Sequence, residues 1–352
     1  MNRKSQWGPG KLRLLTIFTT LFATALGAAA QSAAPQAPPA PGGNVHVFPV
    51  RGNVYMLTGA GSNITVQVGQ EFIIVVDTGL KPYASEVIEA IRSISPLPIL
   101  FVVNTSSDED HVGGNSKISE AGWSLPNPDR EGRGPEQEQE KDASRLVLPP
   151  GATIVANLKT INQIPEQTGK MAAITYGPEG FKLYNNEPVV FYTMPKAHID
   201  SDTLVFFRTS DAISAGEIFS TTRYPVIDTS KGGSVDGILN ALNSIIDLMV
   251  PRESEEGGTW VIPGHGHLSD RNDVVNYRDM VTIIRARIED MAKRGMTLEQ
   301  IKAARPTLDY DGIYDSKYDS GYDSGSSRWT AAMFIEAVYR GVTNKRDEKT
   351  PR

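Results

Sequence analysis

Two short apolar segments, each followed by polar residues, constrain the fold of this chain most. Residues 72–76 and 98–103 are almost wholly apolar, as strands are when both faces of a sheet are buried. Between them, residues 83–94 carry apolar side chains at helical spacing. Strand, helix and strand in this order favour an arrangement of α and β layers packed on each other.

Further strands and helices are predicted on both sides of this unit. The 352-residue chain is long enough for one large or two ordinary domains. Thr297 and Gln300 have the spacing of a capping box, which predicts that a helix begins after Thr297. Strands are predicted at 53–57, 64–68, 189–193, 203–208 and 260–262, and helices at 235–249, 272–294, 298–304 and 329–339.

The N-terminus has the pattern of an export signal. Residues 1–13 are polar and basic, residues 14–26 form a mostly apolar run without a charge, and small residues follow at 27–30. We predict that residues 1–30 are a secretory signal peptide, because the run is short for a membrane span and ends in small residues. An uncleaved membrane anchor is the alternative. Export to the periplasm or the extracellular space is therefore expected.

The chain after the signal is predicted to consist of one domain with flanking segments. Residues 31–44 are rich in Ala and Pro and carry no charge, which is typical of an extended linker. The folded domain is expected to cover residues 45–345, and residues 346–352 are expected to be a disordered tail.

Two segments inside this domain are predicted to be loops. Residues 116–145 are dominated by Pro, Gly and charged residues, so we interpret them as an insertion, either a lid over a site or a mobile surface loop. Residues 310–323 repeat Tyr-Asp every fourth residue, but interleaved Gly and Ser argue against a helix. A flexible acidic loop is predicted there. Calcium binding is the alternative, although the EF-hand spacing is absent.

Composition excludes several functions. The formal net charge is −6, and the four basic residues among the first thirty contribute +4, so the remainder carries −10. A protein of that sign does not hold nucleic acid through general electrostatics. The sequence has no cysteine, which excludes disulfides, thiolate metal sites and cysteine nucleophiles. The expected partner is a small-molecule substrate, without nucleic acid and without a membrane after signal cleavage; the sequence does not predict an oligomeric state.

Three histidines lie beside predicted strand ends. His111 follows the strand at 98–103, His198 precedes the strand at 203–208, and His265 follows the strand at 260–262. Loops at strand ends form the crevice in which α/β sheets bind ligands. A single histidine is more often a structural residue than a metal ligand, so the prediction of a metal site depends on the joint pattern.

In combination, these residues resemble the metallo-β-lactamase superfamily of hydrolases. The resemblance spans roughly residues 45–343 and implies an α+β fold, a four-layer αβ/βα sandwich of the metallo-β-lactamase type, here with a C-terminal helical extension. The metal site is then expected along one edge. The matching segments, in chain order, are Asp77-Thr78-Gly79, residues 104–115, His198 with the Asp-rich turn after it, Gly216-Glu217-Ile218-Phe219 and Ile262-Pro263-Gly264-His265-Gly266.

The first metal loop departs from the family pattern. The family has His-x-His-x-Asp-His, whereas the matching residues here are Ser106, Asp108, Asp110 and His111. The bridging aspartate of the family falls on Glu217. The candidate metal ligands implied by the resemblance are Asp108, Asp110, His111, His198, Glu217 and His265.

These replacements predict one metal site instead of two. In the family, the first ion takes the two leading histidines and the residue matched by His198. A serine hydroxyl is a weak ligand and Asp108 is a hard oxygen donor, so we expect this first site to be empty or weakly filled.

The second site keeps its ligands. In the family, the second ion takes the residues matched by Asp110, His111 and His265, and Glu217 is long enough to add an oxygen. Two imidazoles, a carboxylate and an open position are typical of catalytic zinc. We predict one Zn²⁺ ion; the carboxylates make another divalent metal the alternative.

The predicted function is a secreted metal-dependent hydrolase, in which the ion activates a water molecule and Asp110 and His198 are the candidate catalytic residues. The alternative is a metal-poor relative that binds a ligand without chemistry. Asp77 is expected to orient a loop or a ligand, with a turn cap as the alternative. His267 is expected at the rim of the crevice, and His46 matches nothing in the family.

The substrate is not predicted. Members of the family hydrolyse lactams, thioesters, lactones and phosphodiesters, so the fold does not choose among them. β-Lactam hydrolysis is implied by the resemblance only, and the altered metal loop counts against it.

Overall fold

Two β-sheets with helices form the part of the chain that the structure describes. The computed structural model describes residues 45–124, 151–164, 173–177, 180–254, 257–315 and 329–349. The predicted signal peptide and linker, and most of the predicted 116–145 insertion, lie outside these residues. Within the described ranges, no helix is both long enough and apolar enough to span a membrane.

The first sheet has seven strands in chain order. Its first four strands run antiparallel, and the fourth to the seventh are parallel. The fourth and fifth strands are entirely buried, as their apolar sequences predict. The strands are β1 (His46–Arg51), β2 (Val54–Ala60), β3 (Ser62–Val68), β4 (Ile73–Val76), β5 (Ile99–Val103), β6 (Thr153–Asn157) and β7 (Ala173–Tyr176).

The second sheet has five strands in the order β12-β11-β10-β9-β8. Strands β11 and β12 are parallel to each other, and the other neighbouring pairs are antiparallel. The strands are β8 (Phe181–Tyr184), β9 (Pro188–Met194), β10 (Asp202–Phe207), β11 (Ala212–Ser214) and β12 (Trp260–Ile262).

Nine α-helices lie in the described ranges, four before β10 in the chain and five after it. The capping box predicted at Thr297 is confirmed, because the side chains of Thr297 and Gln300 each accept a backbone N–H. The helices are α1 (Ala84–Ile94), α2 (Glu109–Val112), α3 (Asn115–Glu120), α4 (Leu158–Gln163), α5 (Val235–Leu248), α6 (Arg271–Lys293), α7 (Leu298–Ala304), α8 (Asp311–Tyr314) and α9 (Ala331–Lys349).

Three apolar cores separate four layers. Alternate residues of β10 show the arrangement: Val205 and Phe207 belong to the core between the two sheets, whereas Leu204 and Phe206 pack with the helices α5, α6 and α9. On the other side, α1 packs through Val87 against the outer face of the first sheet. The predicted four-layer αβ/βα sandwich and its C-terminal helices are confirmed.

Two segments predicted as loops begin with helices. Residues 116–120 belong to α3, which is held because Ile118 enters the core beneath α1 and the hydroxyl of Ser119 donates to the carbonyl oxygen of Ala152 at 2.6 Å. The first Tyr-Asp units form α8, because Tyr314 packs against the rings of Tyr224 and Tyr277. Tertiary packing therefore overrides the low helix propensity of both segments. Residues 316–328 of the repeat lie outside the described ranges.

The last helix, α9, continues to Lys349. It therefore runs past residue 345, where the sequence predicted the end of the domain and the start of a disordered tail.

Candidate metal centre

Four side chains that are far apart in the sequence meet at one edge of the sandwich. Asp110, His111, Glu217 and His265 each offer one ligand atom, and these atoms lie within 4.8 Å of one another. Asp110 and His111 are on α2, which follows β5 of the first sheet, whereas Glu217 and His265 follow β11 and β12 of the second. The centre therefore draws its donors from both sheets, and ions are bound by donor sets of this kind.

Asp77 fixes the ring of His111. Nδ1 of His111 lies 2.7 Å from Oδ2 of Asp77, and both side chains are buried. Thr105 donates to Asp77 through its backbone N–H at 2.9 Å and through its hydroxyl at 2.6 Å. With Nδ1 held by this carboxylate, Nε2 of His111 is directed at Oε2 of Glu217, 3.1 Å away. A carboxylate that holds the far nitrogen of a metal-binding histidine is a common arrangement.

Asp77 adopts an unusual backbone conformation at this position. Its φ is 63°, in the left-handed region that residues other than glycine rarely adopt. The hydrogen bonds from Thr105 and the pair with His111 hold it there. The orienting role predicted for Asp77 is thus directed at a candidate metal ligand.

Glu217 reaches the centre because two glycines let the chain segments approach closely. Glu217 lies on a 3₁₀ turn that begins at Gly216, where φ is 51°. A Cβ on Gly216 would lie 2.5 Å from Oγ1 of Thr105, and a Cβ on Gly264 would lie 2.5 Å from the carbonyl oxygen of Gly216. Side chains at either position would separate the two halves of the centre.

The loop that carries His265 is anchored to the first sheet. The side-chain amide of Asn63, on β3, donates to the carbonyl oxygens of Pro263 at 2.9 Å and Gly266 at 3.0 Å. The backbone N–H of Asn63 also donates to the carbonyl of Gly264 at 2.8 Å. These bonds place His265 opposite α2.

Nε2 of His265 is buried without a hydrogen-bond partner among the described residues. It lies 3.2 Å from Oδ2 of Asp110 and 3.2 Å from Oε2 of Glu217, but neither contact has hydrogen-bond geometry. A buried polar atom without a partner is costly unless something else satisfies it. Because two imidazoles and two carboxylates surround this position, the donor set fits one divalent ion.

The charges at the centre favour ionised carboxylates. Burial alone would raise the pKa of Glu217, but Arg223 and His265 outweigh it and hold this pKa well below its usual range. The pKa of Asp110 is also lowered, because His111 and His265 outweigh its burial. Conversely, Asp77 and Asp110 outweigh burial at His111 and raise its pKa. Ionised carboxylates are the form that binds a cation, whereas the proton that the raised pKa favours on His111 has to leave before this imidazole can bind one.

Asp108 and His198, the other two predicted ligands, do not join this group. Nε2 of His198, like that of His265, is buried without a hydrogen-bond partner among the described residues and lies 3.1 Å from Oδ2 of Asp108, whereas Nδ1 of His198 lies 3.2 Å from Oδ1 of Asp202. Ser106 is fully buried and accepts a hydrogen bond from the backbone N–H of Asp108 at 3.3 Å. The other oxygen of Asp108 accepts from Nζ of Lys231 at 2.8 Å. A divalent ion does not fit here, because an ammonium already holds the carboxylate and only one imidazole is present.

Two basic residues at the site were not predicted as functional. Arg223 pairs with Oε1 of Glu217, and its guanidinium also lies 4.0 Å from Oδ2 of Asp110. Lys231 pairs with Asp108. No spacing rule in the sequence linked either base to a carboxylate. His267 is exposed on the loop that carries His265, and His46 is at the exposed start of β1.

Comparison with known proteins agrees with the fold. Residues 57–157 match the sequence model of the metallo-beta-lactamase superfamily. A double mutant of the sec-alkyl sulfatase PisA1 superposes with a TM-score of 0.58 at 15% identity, covering 87% of this chain and 52% of that chain. The stereoselective inverting sec-alkylsulfatase Pisa1 from Pseudomonas sp. gives a TM-score of 0.53 at 15% identity, covering 88% and 52%.

A metallo-beta-lactamase, DIM-1, gives a TM-score of 0.49 at 16% identity, covering 70% of this chain and 99% of that chain. No curated protein matches the chain. The chain spans about half the length of the sulfatase it matches, and identities of this size show the fold alone.

The fold and the site define a four-layer sandwich with a candidate metal-binding group at one edge. Residues 57–157 are thus similar to the metallo-β-lactamase superfamily, although Ser106 and Asp108 stand where the family's first metal loop has histidines.

Proposed function

We propose that this protein is a metal-dependent hydrolase of a small molecule, working with a single divalent ion held by Asp110, His111 and His265. The observation that carries the proposal is the meeting of these residues with Glu217 around the unpartnered Nε2 of His265. Two imidazoles favour zinc, and the two carboxylates leave manganese as the second choice.

Each residue has a separate task in this proposal. A bound zinc ion would lower the pKa of a water molecule and supply a nucleophile near neutral pH. Asp77 holds the ring of His111, and Arg223 holds one oxygen of Glu217, so that the other oxygen stays beside the imidazoles. Asp110 would hold the ion through Oδ2, which is beside His265, and its other carboxylate oxygen is the proposed proton acceptor, because the side chain is partly exposed.

A ligand-binding protein without chemistry is the second candidate. The observation that favours it is the pairing of Glu217 with Arg223 and of Asp108 with Lys231. These bases balance part of the negative charge that would otherwise attract a cation.

Metal analysis of the purified protein separates the two candidates. The protein is stripped with EDTA, dialysed against zinc and assayed for tightly bound metal by elemental analysis. We expect about one zinc ion per chain, because one complete donor set is present among the described residues. Absence of bound metal under zinc-replete conditions would support the ligand-binding candidate, and two ions per chain would contradict the single-ion proposal.

We further propose that the protein is exported. The basic start, the apolar run at 14–26 and the small residues at 27–30 support this proposal. When the full chain is expressed in a bacterium, N-terminal sequencing of the mature protein should place the cleavage near residue 30. Retention of residue 1 on protein in the cytoplasm would contradict export.

A further inference from the structure

The residues matched to the family's first ion contact a lysine. Nζ of Lys231 donates to Oδ1 of Asp108 at 2.8 Å, while Oδ2 of Asp108 lies 3.1 Å from Nε2 of His198. Asp202 holds the other nitrogen of His198 at 3.2 Å. An ammonium, a carboxylate, an imidazole and a second carboxylate therefore form a row where the family has an ion and its ligands.

The position of the ammonium is built by the backbone around it. Lys231 ends a 3₁₀ turn whose start is capped by Asp228, and its carbonyl accepts from the backbone N–H of Asp200 at 3.0 Å. The backbone N–H of Asp228 donates to the carbonyl of His198 at 3.0 Å. Moreover, a Cβ on Gly233 would lie 2.0 Å from that carbonyl oxygen. The turn with Lys231 is thus packed directly on the segment with His198.

The ammonium retains capacity to bind a further oxygen. An ammonium has three N–H donors, and the described hydrogen bonds of this ammonium are one to Asp108 and one long bond to Ser107 at 3.5 Å, with Oδ2 of Asp228 3.8 Å away. Its side chain is 34% exposed and that of Asp108 is 29% exposed. The side chain of Lys231 therefore contacts the row and is partly open to solvent.

We propose that Lys231 replaces the first metal ion and that its ammonium binds a negatively charged oxygen of the substrate. The proposal rests on the proposed function, which supplies the reacting substrate. In such a reaction, a fixed cation beside the attacked group stabilises the charge that develops on its oxygen. The residue positions and polarises the substrate, and it forms no covalent bond.

The test compares phosphate binding by variants of the zinc-treated protein. Inorganic phosphate is the probe, and its affinity is measured by isothermal titration calorimetry. Lys231→Gln keeps a hydrogen-bond donor without the charge, and Lys231→Arg keeps the charge. Lys159→Met is the matched control, because Lys159 also pairs with an aspartate, Asp200, but its side chain is 61% exposed. Thermal unfolding checks that each variant is folded.

The expected result is about a tenfold weaker phosphate affinity for Lys231→Gln, since the positive charge that strengthens the hydrogen bond to phosphate is lost. Lys231→Arg should stay within about threefold of the natural protein, and Lys159→Met should not differ from it. Equal affinity of Lys231→Gln and the natural protein overturns the proposal, as does the absence of phosphate binding by the natural protein.

Metal content distinguishes this proposal from the proposed function. Two tightly bound zinc ions in the natural protein overturn the replacement of the first ion by Lys231. If the protein binds no zinc, the single-ion hydrolase is contradicted, and phosphate binding to the metal-free protein still decides the role of Lys231 by the same comparison.

Discussion

Replacing His265 with alanine is expected to weaken zinc binding about 100-fold or more. The change removes one of the two imidazoles from the centre. Asp110 and Glu217, whose carboxylates lie 3.2 Å from Nε2 of His265, then remain without this neighbouring ligand. Zinc sites with full donor sets have binding free energies of order 10 kcal/mol, so that one ligand of four accounts for a loss of this size. Competition with a chromophoric chelator measures the affinity, and elemental analysis measures the zinc that remains.

His198→Ala and His267→Ala are the controls for this experiment. His198 is buried beside two carboxylates, Asp108 and Asp202, but is outside the four-residue group. His267 is on the same loop as His265 and is exposed. Both variants should retain about one zinc ion per chain. If His198→Ala loses zinc as completely as His265→Ala, then the ion is held at the position matched to the family's first site.

Replacing Asp77 with asparagine is expected to weaken zinc binding about 10- to 100-fold. Asparagine has nearly the same shape, so the packing of the loop after β4 is retained. However, the negative charge that holds Nδ1 of His111 at 2.7 Å is removed. The ring is then a poorer donor through Nε2 and is less strictly oriented. The same chelator competition gives the affinity.

Asp202→Asn is the matched control for Asp77→Asn. Asp202 is also a buried aspartate beside Nδ1 of a buried histidine, but that histidine is His198. We expect the zinc affinity of this variant to stay within about threefold of the natural protein. Equal losses in both variants would show a general effect of burying an amide, and would contradict the specific support of His111 by Asp77.

The sequence predicted the inner strands of both sheets well, because their apolar runs are long enough to identify. Residues 72–76 and 98–103 contain β4 and β5 almost unchanged, and the strands predicted at 189–193 and 203–208 overlap β9 and β10. In contrast, β1 is only partly buried, and β8 is at the edge of its sheet. Strands in such positions have mixed sequences without a clear period.

One strand that was not predicted has a recognisable sequence pattern. β6, Thr153–Asn157, is a β-branched run that follows Pro149-Pro150-Gly151 and is buried except for its first residue. The charged stretch before it obscured where the insertion ends.

The candidate centre was predicted only as far as its residues follow a motif. Asp110, His111, Glu217 and His265 were identified from their order along the chain, and the structure brings these four together. Lys231 was not identified, because it is 123 residues from Asp108 in the sequence and contacts it only in the folded protein. Short local patterns predict ligands, whereas the countercharges of a site depend on the packing of distant loops.

The division of the centre between the two sheets has a consequence for the durability of the protein. Two donors follow β5 of the first sheet, and two follow β11 and β12 of the second. An ion bound among them would therefore link the two sheets of the sandwich. A ligand that binds the native state and not the unfolded chain stabilises the fold in proportion to its occupancy. Depletion of the ion would therefore lower the free energy of unfolding as well as remove the proposed activity.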